Sequence, residues 1–152
     1  MMKKRLILAI NPGSTSTKFG VFEEDKLLFD VTLRHTADDI SGFKKITDQY
    51  GFRKQLIMEE LKERNLDFDS IVAVVGRGGL VKPIESGIYE VNEPMIKDLR
   101  NGLMGEHASN LGGLIAHDIA EALPGARAFI VDPVVVDELE PVARVAGHPE
   151  FK

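Results

Sequence analysis

Residues 6–18 read Leu6-Ile7-Leu8-Ala9-Ile10-Asn11-Pro12-Gly13-Ser14-Thr15-Ser16-Thr17-Lys18, an apolar run followed by a small, hydroxyl-rich segment and one lysine. The apolar run is typical of a strand buried on both faces, and Asn-Pro-Gly ends it. Gly13 lets backbone N–H groups approach a ligand, and Lys18 adds positive charge. Hydroxyl donors come from Ser14, Thr15, Ser16 and Thr17. The stretch therefore predicts a phosphate-binding loop at the end of a strand.

The segment differs from a Walker A loop, which has glycine before the lysine, a hydroxyl residue after it and then a helix. Here Thr17 precedes Lys18, Phe19 follows it, and residues 19–22 continue as β-prone sequence into an acidic turn. This pattern favours a hairpin. An ordinary polar hairpin turn remains the alternative to a phosphate loop.

Composition indicates one globular domain, residues 1–152, with 43% hydrophobic residues to fill its core. A net charge of −5 disfavours nucleic-acid partners, and no stretch is long enough to span a membrane. The chain has no cysteine, which excludes disulfides and thiolate chemistry and favours a cytoplasmic location. The four histidines lack metal-ligand spacing, and His35, His117 and His148 have no evident partners.

Periodicity predicts a mixed α/β fold. Apolar runs at 19–22, 27–33, 70–75 and 128–131 indicate strands, with a short strand near 88–91. Helical spacing begins at Ser41 and fits one long helix or two broken near Gly51. Further helices are expected from Glu93, with Leu103 on the apolar face, and over 109–123. The order predicts a mixed sheet whose first three strands are antiparallel, with flanking helices.

Three predicted strands end in polar loops: Asn11 to Lys18, Gly76-Arg77-Gly78-Gly79, and Asp132-Pro133. Ligands bind beyond the carboxyl ends of strands in open α/β sheets, so we expect these loops to converge. Phosphate donors, a guanidinium and a carboxylate together favour phosphoryl transfer. Taken singly, Arg77 fits a flexible turn, Asp132 a turn start, and His107 a surface position.

Four motifs in order resemble the butyrate kinase branch of the acetokinase family. They are residues 11–18 (NPGSTSTK), 75–79 (VGRGG), 106–113 (EHASNLGG) and 131–134 (VDPV). The resemblance spans almost the whole chain and implies an actin-like ATPase (ribonuclease H-like) fold. The GRGG form and the Asp-Pro pair favour butyrate or branched-chain fatty acid kinase over acetate kinase.

The family resemblance implies Mg²⁺-dependent phosphoryl transfer between ATP and a short-chain carboxylate, giving ADP and an acyl phosphate. It implies that Asn11 and Asp132 serve the metal and the transferring group, with Asp132 either a base or a metal-linked orienting group. Arg77 and Gly78 would hold the carboxylate, and His107 would approach the acyl pocket. The phosphate contacts would come from Gly13, Ser14, Thr15, Ser16, Thr17 and Lys18.

Family members are much longer, with two actin-like domains that bind nucleotide between them. By this resemblance the chain corresponds to the amino-terminal domain and lacks the carboxy-terminal nucleotide-binding domain. We therefore expect residues 1–152 alone to be a very poor kinase whose partner is the other half or another copy of itself. A non-catalytic half-domain that binds phosphate or nucleotide, and a purely structural oligomerisation domain, are the alternatives.

Overall fold

The computed structural model describes residues 3–135 and 138–144. Six strands form one mixed sheet in the order β3-β2-β1-β4-β6-β5. Their bounds are β1 Leu6–Pro12, β2 Ser16–Glu23, β3 Lys26–Arg34, β4 Ile71–Arg77, β5 Ile88–Glu90 and β6 Arg127–Val131.

The first three strands are antiparallel, as the sequence predicts. β2 begins earlier than its apolar run, because Ser16, Thr17 and Lys18 pair in the sheet with Arg34, Leu33 and Thr32. The hydroxyl-rich segment is thus divided: Gly13, Ser14 and Thr15 form a tight loop, and the rest is strand. β-branched threonine is well suited to that strand position.

Strands β1, β4 and β6 run parallel, so their carboxyl ends lie at one edge of the sheet. Leu6, Leu8 and Ile10 alternate along β1 and are buried against the helices. This common edge is where the three predicted loops begin.

The described helices are α1 Ala37–Ile40, α2 Tyr50–Glu63, α3 Glu93–Asn101 and α4 Asn110–Glu121, with 3₁₀ turns at Ile46–Gln49, Phe68–Ser70 and Pro141–Arg144. None of them is long and apolar enough to cross a membrane.

Two helix predictions need correction. Gly51 lies within the first turn of α2 rather than at a break, and the irregular segment precedes it. Helix α3 ends at Asn101 because Gly102 adopts a left-handed conformation with φ +61, a common helix stop. Leu103 therefore lies beyond the helix and is 55% exposed.

Helix α4 packs against β1, β4 and β6, while α2 and α3 flank it on the same face of the sheet. The contact with β4 is unusually close, since a Cβ at Gly76 would lie 2.2 Å from the backbone of Gly112. On the opposite face the described residues leave a groove of about 380 Å³. Gly76 and Gly112 therefore allow α4 to pack very close to β4, the strand that carries Arg77.

Candidate active site

The β1–β2 loop has all of its backbone carbonyls engaged from the protein side. Arg53 donates from Nη1 to the Gly13 carbonyl at 2.6 Å and from Nη2 to the Ser14 carbonyl at 3.1 Å. The Thr15 carbonyl accepts from the His35 amide at 2.8 Å. The Ser16 carbonyl accepts from the Gly13 amide at 2.7 Å and from Arg53 Nη1 at 2.9 Å. The carbonyl dipoles are thus directed into the protein.

The amides of Ser14 and Thr15 form no hydrogen bond within the part of the chain that the structure describes, and both residues are exposed. The Gly13 amide, by contrast, closes the turn onto Ser16. Two adjacent free N–H groups beside exposed hydroxyls form a cradle for an anion. The loop therefore has the donors that a phosphoryl group requires, and it lacks the free carbonyls that would repel one.

Arg53 organises the loop from beneath and has no exposed surface. Its guanidinium also donates to Gln49 Oε1 at 3.1 and 2.8 Å and to Thr17 Oγ1 at 3.1 Å. Burial lowers the pKa of Arg53, yet an arginine stays protonated in proteins. No sequence motif predicts a role for Arg53. Its position does give an indication: Arg53 lies on the buried face of α2 with Ile57 and Leu61, where a charged side chain requires hydrogen-bond partners.

Thr17 was predicted to contact phosphate, and the structure corrects this. Its side chain is fully buried, and its hydroxyl bonds Arg53 Nη1 and, at 2.8 Å, His35 Nε2. Side chains alternate between the two faces of a strand, so Thr17 turns into the core while Lys18 turns out. Thr17 supports the loop and is not accessible to a ligand.

His35 also departs from expectation, because it has partners. It is buried, its ring edge meets Phe52 at a centroid distance of 5.5 Å, and its Nδ1 has no hydrogen bond among the described residues. Burial and the nearby Arg53 charge lower the pKa of His35, against a smaller opposing effect of Asp39. A neutral ring therefore supports the loop.

Acidification should weaken this support. A histidine whose pKa is lowered by folding adds full stability above about pH 6.5 and loses it as the pH falls through the folded-state pKa. We expect the free energy of unfolding to fall between pH 7 and pH 5, measured by urea denaturation. This pH-dependent fall in the free energy of unfolding should be smaller in His35→Gln than in wild type. If the free energy of unfolding fell equally with pH in wild type and His35→Gln, the pH dependence would not come from His35.

Lys18 lies opposite Asn11 in the β1–β2 ladder, on the open face of the sheet. Its ammonium pairs with Asp30 at 2.7 Å, and its side chain is 54% exposed. Lys18, Asn11 and Arg77 all line the open groove. The lysine is therefore on the groove side, reachable by a ligand that extends across the sheet edge.

Arg77 is the last residue of β4 and is followed by two glycines in the left-handed region, Gly78 with φ +70 and Gly79 with φ +125. The Gly78 amide donates to the Val131 carbonyl at 3.1 Å, which ties this loop to the end of β6. A residue with a Cβ would be strained at either glycine. The Arg77 side chain is thus presented at the sheet edge by a sharply turning backbone.

Asn110 joins two of the loops and was assigned no role from the sequence. It is fully buried at the start of α4; its Oδ1 accepts from the Leu80 amide at 2.8 Å, and its Nδ2 donates to the Gly105 carbonyl at 2.9 Å. Nearby, His107 Nδ1 bonds Ser109 Oγ at 2.8 Å. One buried amide therefore holds the loop after Arg77 against the loop that carries His107.

Removing that amide should be costly. Asn110→Ala leaves the partly buried Leu80 N–H and Gly105 C=O without partners, so we expect the free energy of unfolding to fall by about 1–3 kcal/mol. Asn110→Asp keeps the acceptor for the Leu80 amide but places a carboxylate oxygen against the Gly105 carbonyl oxygen. This variant should therefore also be less stable than wild type. Chemical denaturation measures both, with exposed Asn101→Ala as the control. A loss no larger than that of the control would mean that the two bonds do not hold the loops.

Asp132 follows β6 in a left-handed conformation, φ +44, that is uncommon for a residue other than glycine. Two contacts with Gly87 hold it there: the Asp132 amide donates to the Gly87 carbonyl, and Asp132 Oδ1 accepts from the Gly87 amide, each at 3.1 Å. The carboxylate is exposed, and its second oxygen has no hydrogen bond among the described residues. Strain of this kind is often found at functional sites.

The ends of β1, β4 and β6 and the segment before α4 converge on one cleft of about 190 Å³. It is lined by Asn11, Pro12, Arg77, Gly78, His107, Ser109, Asp132 and Val134. Pro12 leads directly into the Gly13–Thr15 loop, and Asn11 and Arg77 line both this cleft and the open groove. The structure thus brings five of the predicted site residues together in the cleft: Asn11, Arg77, Gly78, His107 and Asp132. Lys18 lines the open groove instead, and residues 13–16 follow Pro12 along the chain without lining the cleft.

Sequence comparison identifies close relatives. Over 145 residues, 95% of the chain, the sequence is 57% identical to butyrate kinase 2 and 55% identical to butyrate kinase 1 of Clostridium acetobutylicum. It is 56% identical over the same length to a probable butyrate kinase of Clostridium botulinum. The chain spans 40–41% of the length of these relatives. No family model matches it.

Solved structures show the same fold. Acetate kinase from Entamoeba histolytica matches 95% of this chain and 40% of its own, with a TM-score of 0.57 and 17% identity. A propionate kinase from Francisella tularensis matches 84% of this chain and 36% of its own, with a TM-score of 0.54 and 15% identity. The expected actin-like ATPase fold is confirmed. Sequence identity above one half along nearly the whole chain, on this fold, means that the chain belongs to the acetokinase family.

Proposed function

We propose that these residues form the carboxylate-binding side of a butyrate kinase, which transfers a phosphoryl group between ATP and butyrate or a branched short-chain acid. The observation that carries the proposal is the shared cleft: Arg77, Asn11 and Asp132 line one space, and Pro12 joins it to a loop with free amides. The identity to butyrate kinases favours this function over a non-catalytic half-domain.

Arg77 is proposed to bind the substrate carboxylate, because a guanidinium presents two parallel N–H donors to two oxygens. One carboxylate oxygen then attacks the γ-phosphorus of ATP. The new bond joins that oxygen to phosphorus, the bond from phosphorus to the β-phosphate oxygen breaks, and ADP leaves with the electron pair. The amides of Ser14 and Thr15, with the hydroxyls of the loop, hold the phosphoryl oxygens.

The attacking carboxylate is already ionised near neutral pH, so the step needs no general base. Asp132 is therefore proposed as an orienting group rather than a base. Gly78 lets the backbone come close to the substrate, and His107, fixed by Ser109, limits the acyl end of the cleft. Lys18 is proposed to meet the phosphates from the groove side.

A divalent metal suits this cleft only in part. Asn11 and Asp132 offer an amide and a carboxylate oxygen, hard donors of the type that Mg²⁺ accepts together with water and substrate phosphates. Among the described residues no group of three or more His, Asp or Glu side chains is arranged to hold a metal alone. We propose that Mg²⁺ binds here chiefly through the nucleotide. When bound it would neutralise charge on the phosphates.

The remaining parts of a butyrate kinase are proposed to come from sequence that the relatives have beyond the 40% matched here, or from another copy of the chain. By the family resemblance these parts include the adenosine-binding segment and transition-state cations. Loss of such a cation costs about 10³–10⁵ in rate. We therefore propose that residues 1–152 alone have little activity, and that the complete kinase works in the cytoplasm.

Hydroxamate trapping of the acyl phosphate tests the function. Residues 1–152 would be assayed with butyrate, ATP and Mg²⁺ beside the same residues joined to the remaining sequence of C. acetobutylicum butyrate kinase 2. We expect product only from the joined protein. Product from residues 1–152 alone would show that the cations come from self-association or elsewhere, and a folded joined protein without product would contradict the proposed function.

A further inference from the structure

Arg53 is a buried cation whose hydrogen-bond partners are all uncharged. Its acceptors are the amide oxygen of Gln49, the Thr17 hydroxyl and the carbonyls of Gly13, Ser14 and Ser16. No ion pair within residues 3–135 and 138–144 includes it. A buried charge without a counter-charge is unfavourable even when hydrogen-bonded. The fold therefore retains a positive charge that nothing in the described chain neutralises.

The place for a counter-charge lies across the loop. The guanidinium contacts the inner side of Gly13 and Ser14 through their carbonyls, and the adjacent amides of Ser14 and Thr15 remain free. An anion on those amides would be separated from Arg53 by a single layer of backbone. With water excluded from the inner side, the attraction between the two charges is only weakly screened.

We propose that Arg53 is a positioning residue for the phosphate-binding loop and that the phosphoryl group bound on the loop neutralises its buried charge. The proposal deepens the proposed phosphoryl-transfer function and rests on it. Arg53 touches no substrate; it fixes the carbonyls inward, which leaves the amides outward, and it adds a positive field beneath them.

The test is a pyrophosphate titration of ¹⁵N-labelled chain, followed through the Ser14 and Thr15 amide signals. Arg53→Gln removes the charge and the fork of donors, while Arg53→Lys keeps only the charge. Lys62→Gln removes an exposed charge from the same helix and is the matched control. Far-ultraviolet circular dichroism and chemical denaturation establish that each variant is folded.

We expect Arg53→Gln to bind pyrophosphate about ten- to a hundredfold more weakly than wild type, and Arg53→Lys about threefold or more weakly, with Lys62→Gln unchanged. In wild type the Arg53 Nε–H signal should shift on the same binding curve as the loop amides. A role in folding alone would not produce that shift, since the ligand does not contact the guanidinium.

Folded Arg53→Gln with wild-type affinity would overturn the proposal. If that variant does not fold, the pyrophosphate affinity of Arg53→Lys decides: weaker binding than wild type supports the proposal, and equal binding overturns it. A wild-type Arg53 Nε–H signal that does not shift on addition of pyrophosphate also overturns the proposal. Failure of wild type to bind pyrophosphate would remove both the phosphate loop and the role of Arg53. Absence of hydroxamate product with Arg53-dependent binding would instead refute the kinase function alone.

Discussion

Gly76→Ala should lower the free energy of unfolding by about 3 kcal/mol or more, and the variant is expected to be largely unfolded if the parent is marginally stable. The new Cβ would lie 2.2 Å from both the carbonyl carbon and the oxygen of Gly112. Both are backbone atoms, so no side-chain rotation relieves the clash. Relief requires α4 to move away from β4, which opens the core between them and displaces the segment that carries Arg77.

Gly51→Ala is the matched control, because nothing lies within 4 Å of a Cβ at that position in α2. Alanine is the better helix former, so this variant should be more stable by about 0.5–1 kcal/mol. Urea denaturation should therefore show a lower free energy of unfolding for Gly76→Ala and a higher one for Gly51→Ala, each relative to wild type. A Gly76→Ala variant as stable as wild type would show that α4 does not pack on β4 at this height.

Arg77→Ala should strongly reduce carboxylate phosphorylation while leaving the fold intact. In the joined protein we expect kcat/KM for butyrate to fall by about 10²–10³, the usual effect of losing one charged or oriented donor at a reacting group. Arg77 is the exposed last residue of its strand, so the free energy of unfolding should change by less than about 0.5 kcal/mol. Hydroxamate assays over a range of butyrate concentrations measure the first effect.

Arg77→Lys should restore little of the activity, because an ammonium lacks the planar fork that matches a carboxylate. Exposed Arg100→Ala on α3 is the control and should retain wild-type kcat/KM. Unchanged kcat/KM in Arg77→Ala would place the carboxylate elsewhere.

The part of the fold that local pattern controls was predictable. The apolar runs of β1, β4 and β6 gave buried strands, and parallel strands necessarily bring their carboxyl ends to one edge. Asn11, Arg77 and Asp132 each stand at or just beyond such an end, which is why three separate motifs line one cleft. The antiparallel opening followed from the short acidic turn after β2.

Long-range pairing was not predictable. Arg53 lies 40 residues from Gly13, and nothing in local spacing connects a helix residue to that loop. Thr17 looked like its neighbours in composition, yet the two-residue period of β2 turned it inward once the strand began at Ser16. The sequence around His35 shows no partner for it, because its partner, Thr17, comes from the neighbouring strand. These residues form the inner side of the loop, and their positions depend on contacts between residues that are distant in the sequence.

The shared site itself is tested by titrating ¹⁵N-labelled residues 1–152 with butyrylphosphonate, a stable mimic of the acyl phosphate. The account predicts that the Ser14 and Thr15 amides and the Gly78 and Gly79 amides shift together, with one dissociation constant, because one small molecule reaches both loops. Shifts confined to one loop, or two distinct dissociation constants, would contradict a single cleft in which carboxylate and phosphate meet.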